Sequence, residues 1–283
     1  MIKKYFLSSI TALTLGFVTS CDNSTEDPPN QNANGSSGAT ITGPRILSKI
    51  TDGTKDYEEY ITNSGVLSQA FIRDAGSGNT LTSTVTYSGN KIATIKYQDN
   101  ASPHVIDYLY TLTYTAGKLS GFAMDHTTTM AVNHSDFTVY YDPAGQLYII
   151  VEKRKMGGST AYTHYIESKF TFSGNNVVKA DHTTMLMSGA NPDPATASVT
   201  SYAYENYDNK VNPYLTLPKE YFMVTGTAMK INFYTLSSNN YGKMTIQSPA
   251  APAVIVPKGY VYDSQNYPVS DQASLKYIYK PLQ

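Results

Sequence analysis

Two short segments carry the residue types most able to do chemistry. Asp125-His126-Thr-Thr-Thr-Met130 and Asp181-His182-Thr-Thr-Met185 each set an imidazole beside a carboxylate, with the two histidines 56 positions apart. An imidazole oriented by a carboxylate is a working pair for general acid–base catalysis, and two such pairs would also offer ligands to a metal ion. His126 and His182 are therefore the candidates for such a centre. The competing expectation is that both pairs are exposed strand ends shared by related repeats, with no metal bound. His104, His134 and His164 show neither His-x-His nor His-Glu-x-x-His spacing. Ser88-Gly-Asn-Lys91 matches the Ser-x-x-Lys of serine acyl transfer, which needs the serine at a helix start and the lysine one turn on. Gly89-Asn90 is instead a turn pair, so these four residues are expected at a hairpin tip. The sequence holds no Gly-x-Ser-x-Gly elbow, Walker loop or dinucleotide fingerprint, so no catalytic residue and no cofactor is assigned.

Binding candidates come from the aromatic and basic residues. The chain has 25 Tyr and no Trp. Aromatic faces stack on sugar rings, but rings that recur at one register of a repeat are most simply core. The off-register Tyr140, Tyr148, Tyr162 and Tyr165, with Lys153 and Arg154 of the basic run Lys153-Arg154-Lys155, are the candidate contacts for a glycan or another anionic envelope ligand. Lys plus Arg total 21 against 22 Asp plus Glu. Without a basic excess the chain lacks the electrostatic attraction that dominates nucleic-acid affinity, and DNA and RNA are discounted as partners. A single cysteine excludes an intramolecular disulfide and a multi-thiolate metal cluster.

The elements that would position these residues follow from a repeat. Ile61-Thr-Asn-Ser-Gly-Val66, Tyr87-Ser-Gly-Asn-Lys-Ile92, Tyr114-Thr-Ala-Gly-Lys-Leu119, Tyr141-Asp-Pro-Ala-Gly-Gln-Leu147 and Phe172-Ser-Gly-Asn-Asn-Val177 each place a tight turn between two apolar residues, their leading positions 26, 27, 27 and 31 apart. Gly and Asn supply the positive φ of hairpin turns. The flanks alternate with period two: Tyr108, Tyr110, Leu112 and Tyr114 share one face while Leu109, Thr111 and Thr113 share the other. Further hairpins are expected at Tyr207–Val211, through Asn239–Gly242 and at Tyr262–Pro268, with loops at Ala190–Pro194 and Pro249–Pro257, the latter because three prolines oppose a central strand. No segment shows helical spacing with caps. The fold expected is all-β, an antiparallel meander of about eight long hairpins and some 16 strands, rolled or barrel-like with the aromatic face inward. A membrane-spanning barrel is disfavoured because no Trp is present for an interfacial girdle and the chain ends in Pro-Leu-Gln.

The start of the chain reads as an address. Lys3 and Lys4 precede an apolar run of 14 residues, Tyr5 to Val18, which is shorter than the roughly 20 a spanning helix needs. Val18-Thr19-Ser20-Cys21 resembles the lipobox of bacterial lipoproteins, which implies removal of residues 1–20 and acylation of Cys21. Residues 21–44, rich in Asn, Ser, Gly and Pro, read as a flexible tether to one domain spanning 45–283. Asp22, Glu26 and Asp27 resemble the acidic export signals of surface lipoproteins in Bacteroidota-type bacteria. Tyr141-Asp-Pro-Ala-Gly-Gln-Leu147 resembles the core of YD and Rhs-type repeats, with Gln146 in place of the usual Arg. Tyr207-Asp-Asn-Lys-Val-Asn-Pro213 and Tyr262-Asp-Ser-Gln-Asn-Tyr-Pro268 are similar to the ending of a family of Bacteroidota lipoproteins of unknown function with a porin-like β fold. What the resemblance implies is architecture and an outer-membrane lipoprotein facing the periplasm or the cell surface. The function expected is non-enzymatic binding of a glycan or other envelope ligand, with contact to another envelope protein as the alternative and a hydrolase using the His and Asp pairs as the third.

Overall fold

The computed structural model describes residues 44–73, 78–102, 104–127 and 132–282. The expected signal segment, Cys21 and the rest of the expected tether before Pro44 lie outside the described residues. From Arg45 the chain forms β1 (Arg45–Thr51), β2 (Asp56–Asn63), β3 (Val66–Arg73), β4 (Thr80–Ser88), β5 (Lys91–Asp99), β6 (Asp107–Thr115), β7 (Lys118–Thr127), β8 (Val132–Tyr141), β9 (Leu147–Lys155), β10 (His164–Ser173), β11 (Asn176–Ser188), β12 (Asn191–Pro192) and β13 (Ser198–Glu205). After an insertion carrying α1 (Lys219–Thr225) come β14 (Lys243–Ser248), β15 (Ala251–Pro257), β16 (Tyr260–Tyr262), β17 (Pro268–Asp271) and β18 (Lys276–Pro281). Each strand from β1 to β11 pairs antiparallel with the next, and β11 continues to β13, β14 and β15. On its other side β1 pairs with β18, then β17 and β16. The sheet is rolled but not closed: β15 runs into β16 through Lys258-Gly259, and among the described residues no ladder joins β14 to β17.

The repeat is a bracing device as well as a turn. In successive hairpins the register slips just before the tip, at Thr86/Tyr87, Thr113/Tyr114, Tyr140/Tyr141 and Thr171/Phe172. A bulge there bends the strand and increases its twist, which curls the sheet. The bulged ring then reaches sideways. Tyr87 donates its hydroxyl proton to the Leu67 carbonyl at 2.9 Å and Tyr141 to Leu119 at 2.9 Å, each acceptor lying just past the preceding hairpin's tip; Tyr207, beyond the end of β13, makes the equivalent bond to Val177 at 2.6 Å. Turn lysines cover the next ring in turn, with Lys91 Nζ 5.5 Å from the Tyr114 centroid and Lys118 Nζ 5.1 Å from Tyr141. Ser88 pairs with Lys91 across a tip in which Gly89 has φ +60°, so this Ser-x-x-Lys is a turn.

Strand parity sends the large apolar side chains inward. Val85, Ile95, Tyr97, Tyr110, Phe122, Phe137, Val139, Ile150 and Phe170 are all buried. The outer wall carries Thr86, Lys96, Thr111, Thr138, Lys169 and Lys179 exposed. That is the reverse of a lipid-facing barrel, whose outer band is apolar and where a mid-strand lysine costs about 2–4 kcal/mol. No helix among the described residues is long and apolar enough to cross a membrane.

The segment 206–242 corrects the expected hairpins at Tyr207–Val211 and Asn239–Gly242, and with them the expected absence of helix. It leaves the sheet at the tip end and enters the roll as a plug. Its two ends meet in a neck: Asp208 N–H donates to the Asn240 carbonyl at 3.1 Å, and buried Asn212 donates from Nδ2 to the Ser237 and Tyr234 carbonyls at 2.9 and 3.0 Å. Inside the neck lies the unalternating run Tyr221-Phe222-Met223-Val224, all four buried. Apolar residues on every side of a segment suit a short helix enclosed by other structure. Tyr221 shares a hydrogen bond of 2.7 Å with Ser83 on β4, Phe233 meets Phe170 on β10 edge to face at 4.7 Å, and Tyr60 on β2 meets Phe222 at 6.2 Å. Contacts to opposite walls show the sheet wrapped around this plug. The expected loop at Pro249–Pro257 is also corrected. Ala251–Pro257 is a strand whose prolines are tolerated because, among the described residues, it pairs on one side only.

Candidate functional site

The plug fills the roll only partway. Beyond it, at the end away from the tight turns, lies a cavity of about 990 Å³. Its wall comes from the strand ends at that rim: Ile50, Glu58, Ile72, Leu81, Arg154, His164, Ile166, His182, Thr184, Thr200, Tyr202 and Ile246; the plug supplies its floor with residues 228–232 and Tyr234. Tyr260, Leu275 and Tyr277 border it at the seam where the sheet stays open. The volume lies at the upper end of the usual small-molecule pocket range of roughly 300–1,000 Å³.

One wall is charged. On β9 the inward parity runs Ile150, Glu152, Arg154, so an ion pair stands where the repeat elsewhere puts apolar side chains. Glu152 is 3% exposed. Its Oε1 accepts from Ser135 Oγ at 2.8 Å and from Arg154 Nε and Nη2, both at 2.6 Å. The buried carboxylate is thus held through Oε1, and it fixes the guanidinium plane. Arg154 Nη1 has no acceptor among the described residues. From the floor rises Lys230, whose ammonium likewise has no hydrogen-bond or ion-pair partner among them; burial brings its pKa down to about 8, opposed by Glu152 and assisted by Arg154.

The histidines on this wall are held neutral. His182 is 8% exposed and its Nδ1 lies 3.2 Å from Ser168 Oγ. Burial first, then the charges of Lys230 and Arg154, lower its pKa to about 3. Ser168 and His182 therefore do not form an activated pair: an imidazole titrating there is too weak a base to take a serine proton near neutral pH. His164 is also lowered, by burial and by Arg154.

The residues singled out in the sequence divide between the two faces. His126 and His182 point inward, His126 against the Tyr108 ring at 4.4 Å and 3.3 Å from the Val105 carbonyl. Their aspartates point outward, as adjacent strand residues must. Asp125 binds His134 Nδ1 at 2.7 Å, and Asp181 binds Lys179 at 2.8 Å and Ser201. Neither carboxylate orients the imidazole beside it, and among the described residues no group of three or more His, Cys, Asp or Glu side chains is placed to hold a metal. Tyr140 and Tyr148 are exposed on the outer wall, with Lys169 Nζ 5.3 Å from the Tyr148 ring. Tyr162 donates to Asp136 at 2.6 Å beneath Lys155, and Tyr165 donates to Glu167 at 3.1 Å. Lys153 shares that outer face, while Arg154 alone of the basic run enters the cavity. Glu152, Ser135, Ser168 and Lys230 were not singled out in the sequence. The signal for the first three is a polar residue at the inward parity of an otherwise apolar strand face.

A search of solved structures finds a porin-like protein from Bacteroides vulgatus ATCC 8482, 13% identical, covering 84% of this chain and all of that one with a TM-score of 0.49. A porin-like protein from Bacteroides uniformis ATCC 8492 is 12% identical, covering 79% of this chain and 89% of that one with a TM-score of 0.45. No family model matches the chain, and no curated protein matches it.

Proposed function

We propose that this is a non-enzymatic binding protein of the cell envelope, tethered to the outer membrane by acyl chains on Cys21, which takes a glycan or other envelope ligand into the interior of its β roll. The observation that carries the proposal is the cavity of about 990 Å³ at the open rim, with tyrosine rings for an apolar or sugar surface and charged side chains for orientation. The tether supports it from the sequence side: a lone thiol after an apolar leader has no partner for a disulfide, and two or more acyl chains would anchor it durably at about 0.8 kcal/mol per buried CH₂. Labelled palmitate should attach to the wild-type chain and not to Cys21→Ser. Calorimetry of the mature protein against glycan and cell-wall fragments should give one-to-one binding, and silence across the panel would remove the ligand half of the proposal.

A second reading, an assembly lipoprotein that contacts another envelope protein, is favoured by β15. Among the described residues this strand pairs with β14 alone, and it exposes Val254 and Ile255, 38% and 62% accessible. A free apolar edge is a template for strand addition. A pull-down from detergent-solubilised membranes should then return one stoichiometric partner that Ile255→Lys releases.

A further inference from the structure

The charges around the cavity do not balance. Lys258 is paired with Asp271, and Arg154 with Glu152. Glu58 lies at the opposite wall, where Tyr60 and Tyr214 donate hydroxyl protons to it at 2.6 and 3.0 Å; burial raises its pKa, and the charges acting on Lys230 are those of Glu152 and Arg154. The neutral imidazoles of His164 and His182 add no charge. Among the described residues Arg73, at the rim, donates to the Asp56 and Gly78 carbonyls at 3.1 Å each. That leaves Lys230 in the interior with no ion-pair partner among the described residues, beside a guanidinium whose Nη1 meets no acceptor among them. An ammonium removed from bulk water without a partner is costly, and a ligand anion would remove that cost. Ile50, Ile72, Leu81, Ile166, Ile246 and Leu275 give the wall an aliphatic stretch for an apolar body, beside the polar Thr184, Thr200 and Tyr202.

Resting on the cavity as the binding site, we infer that its ligand is an amphiphilic monoanion, with an acidic head between Lys230 and Arg154 Nη1 and an apolar body along the aliphatic wall. One uncompensated interior cation matches a single negative charge better than a dianion. Arg73 at the entrance would draw the anion in, while Glu152 holds Arg154 in a fixed orientation so that no rotamer must be frozen on binding.

The test uses the full mature chain, titrated by calorimetry with decanoate below its micellar concentration and with decanol as the uncharged match. Decanoate should bind one to one and at least about tenfold more tightly than decanol. Lys230→Met should weaken decanoate by about tenfold or more and leave decanol unchanged, and Lys230→Arg should restore the preference. Because Arg154→Met alone would strand the buried Glu152 charge, that position is tested as Glu152→Gln/Arg154→Met, with circular dichroism to show the fold intact. Ala228→Trp, which fills the cavity from its floor, separates the two claims. Equal binding of decanoate and decanol, or no response to Lys230→Met, overturns the anion inference, and if Ala228→Trp still abolishes binding the cavity remains the site. Binding untouched by Ala228→Trp places the ligand elsewhere and overturns both. Failure of decanoate while a neutral glycan binds and is blocked by Ala228→Trp overturns the anion inference alone.

Discussion

Phe233→Ala probes the seat of the plug. Phe233 is fully buried and packs edge to face on Phe170 of β10 at 4.7 Å. Truncating a buried Phe costs about 3–5 kcal/mol, a large part of the roughly 5–15 kcal/mol that holds a domain folded. Gly226, which ends α1 with φ −61°, supplies the partner mutation. In open space Gly→Ala at a helical φ would gain up to about 1 kcal/mol. Here the added Cβ would stand 2.7 Å from the Phe222 carbonyl oxygen and 2.8 Å from Phe233 Cε1, so overpacking of about 1–3 kcal/mol should outweigh that gain. The ring half of the clash disappears when Phe233 is already Ala, whereas the carbonyl half stays. The double variant should therefore cost less than the sum of the singles by about 0.5–1.5 kcal/mol, measured by urea unfolding followed by circular dichroism. Strict additivity, or a Phe233→Ala cost below about 1 kcal/mol, would mean that the plug does not pack inside the roll.

Acid should destabilise the fold through His182. Its pKa falls from 6.5 to about 3 on folding, so as pH drops below 6.5 the unfolded chain takes the proton first. The contribution, on the order of a few kcal/mol, is whole above pH 6.5 and is lost progressively towards pH 3; His182→Gln should flatten that part of the stability profile, and an unchanged profile would contradict the burial argument. His134 has the opposite sign. Its Nδ1 hydrogen bond to Asp125 is the largest cause raising its pKa above 6.5, so its contribution is complete below 6.5 and fades as pH rises through the raised value. Being partly exposed it contributes only about 0.2–1 kcal/mol, and Asp125→Asn should lower the value seen by NMR titration. Tyr141→Phe and Tyr87→Phe should each cost about 0.5–1.5 kcal/mol through loss of the lateral bond to the neighbouring hairpin, whereas Tyr140→Phe on the outer wall should be neutral in the same unfolding assay.

The repeat units and their parity were readable because every hairpin restates the same rule: a bulged ring, a tight turn, an aliphatic return. That rule placed Tyr110, Leu112, Phe137 and Val139 inside correctly. It failed at Tyr207 and Asn239, where YD-like and Asn-Gly-like residues turn a neck and not a strand pair; the unalternating run Tyr221–Val224 between them was the available sign of a different element. Ala251–Pro257 was missed because proline excludes a central strand but not an edge. The site was less legible still. The two Asp-His pairs drew notice by composition, yet parity separates their halves across the sheet, and the same parity applied to Glu152, Arg154, Ser168 and His182 marks them as polar groups facing inward. Lys230 carried no such mark, since its position depends on how the plug folds back within the roll.

Native-state hydrogen exchange on the plug is the most direct test of a sheet rolled around its own insertion. The amides of Tyr221–Thr225 and of Asn232–Leu236 should exchange as slowly as those of β4 and β5, through the same global opening. Exchange of these amides at the rate of an exposed loop, with β4 and β5 still protected, would contradict it.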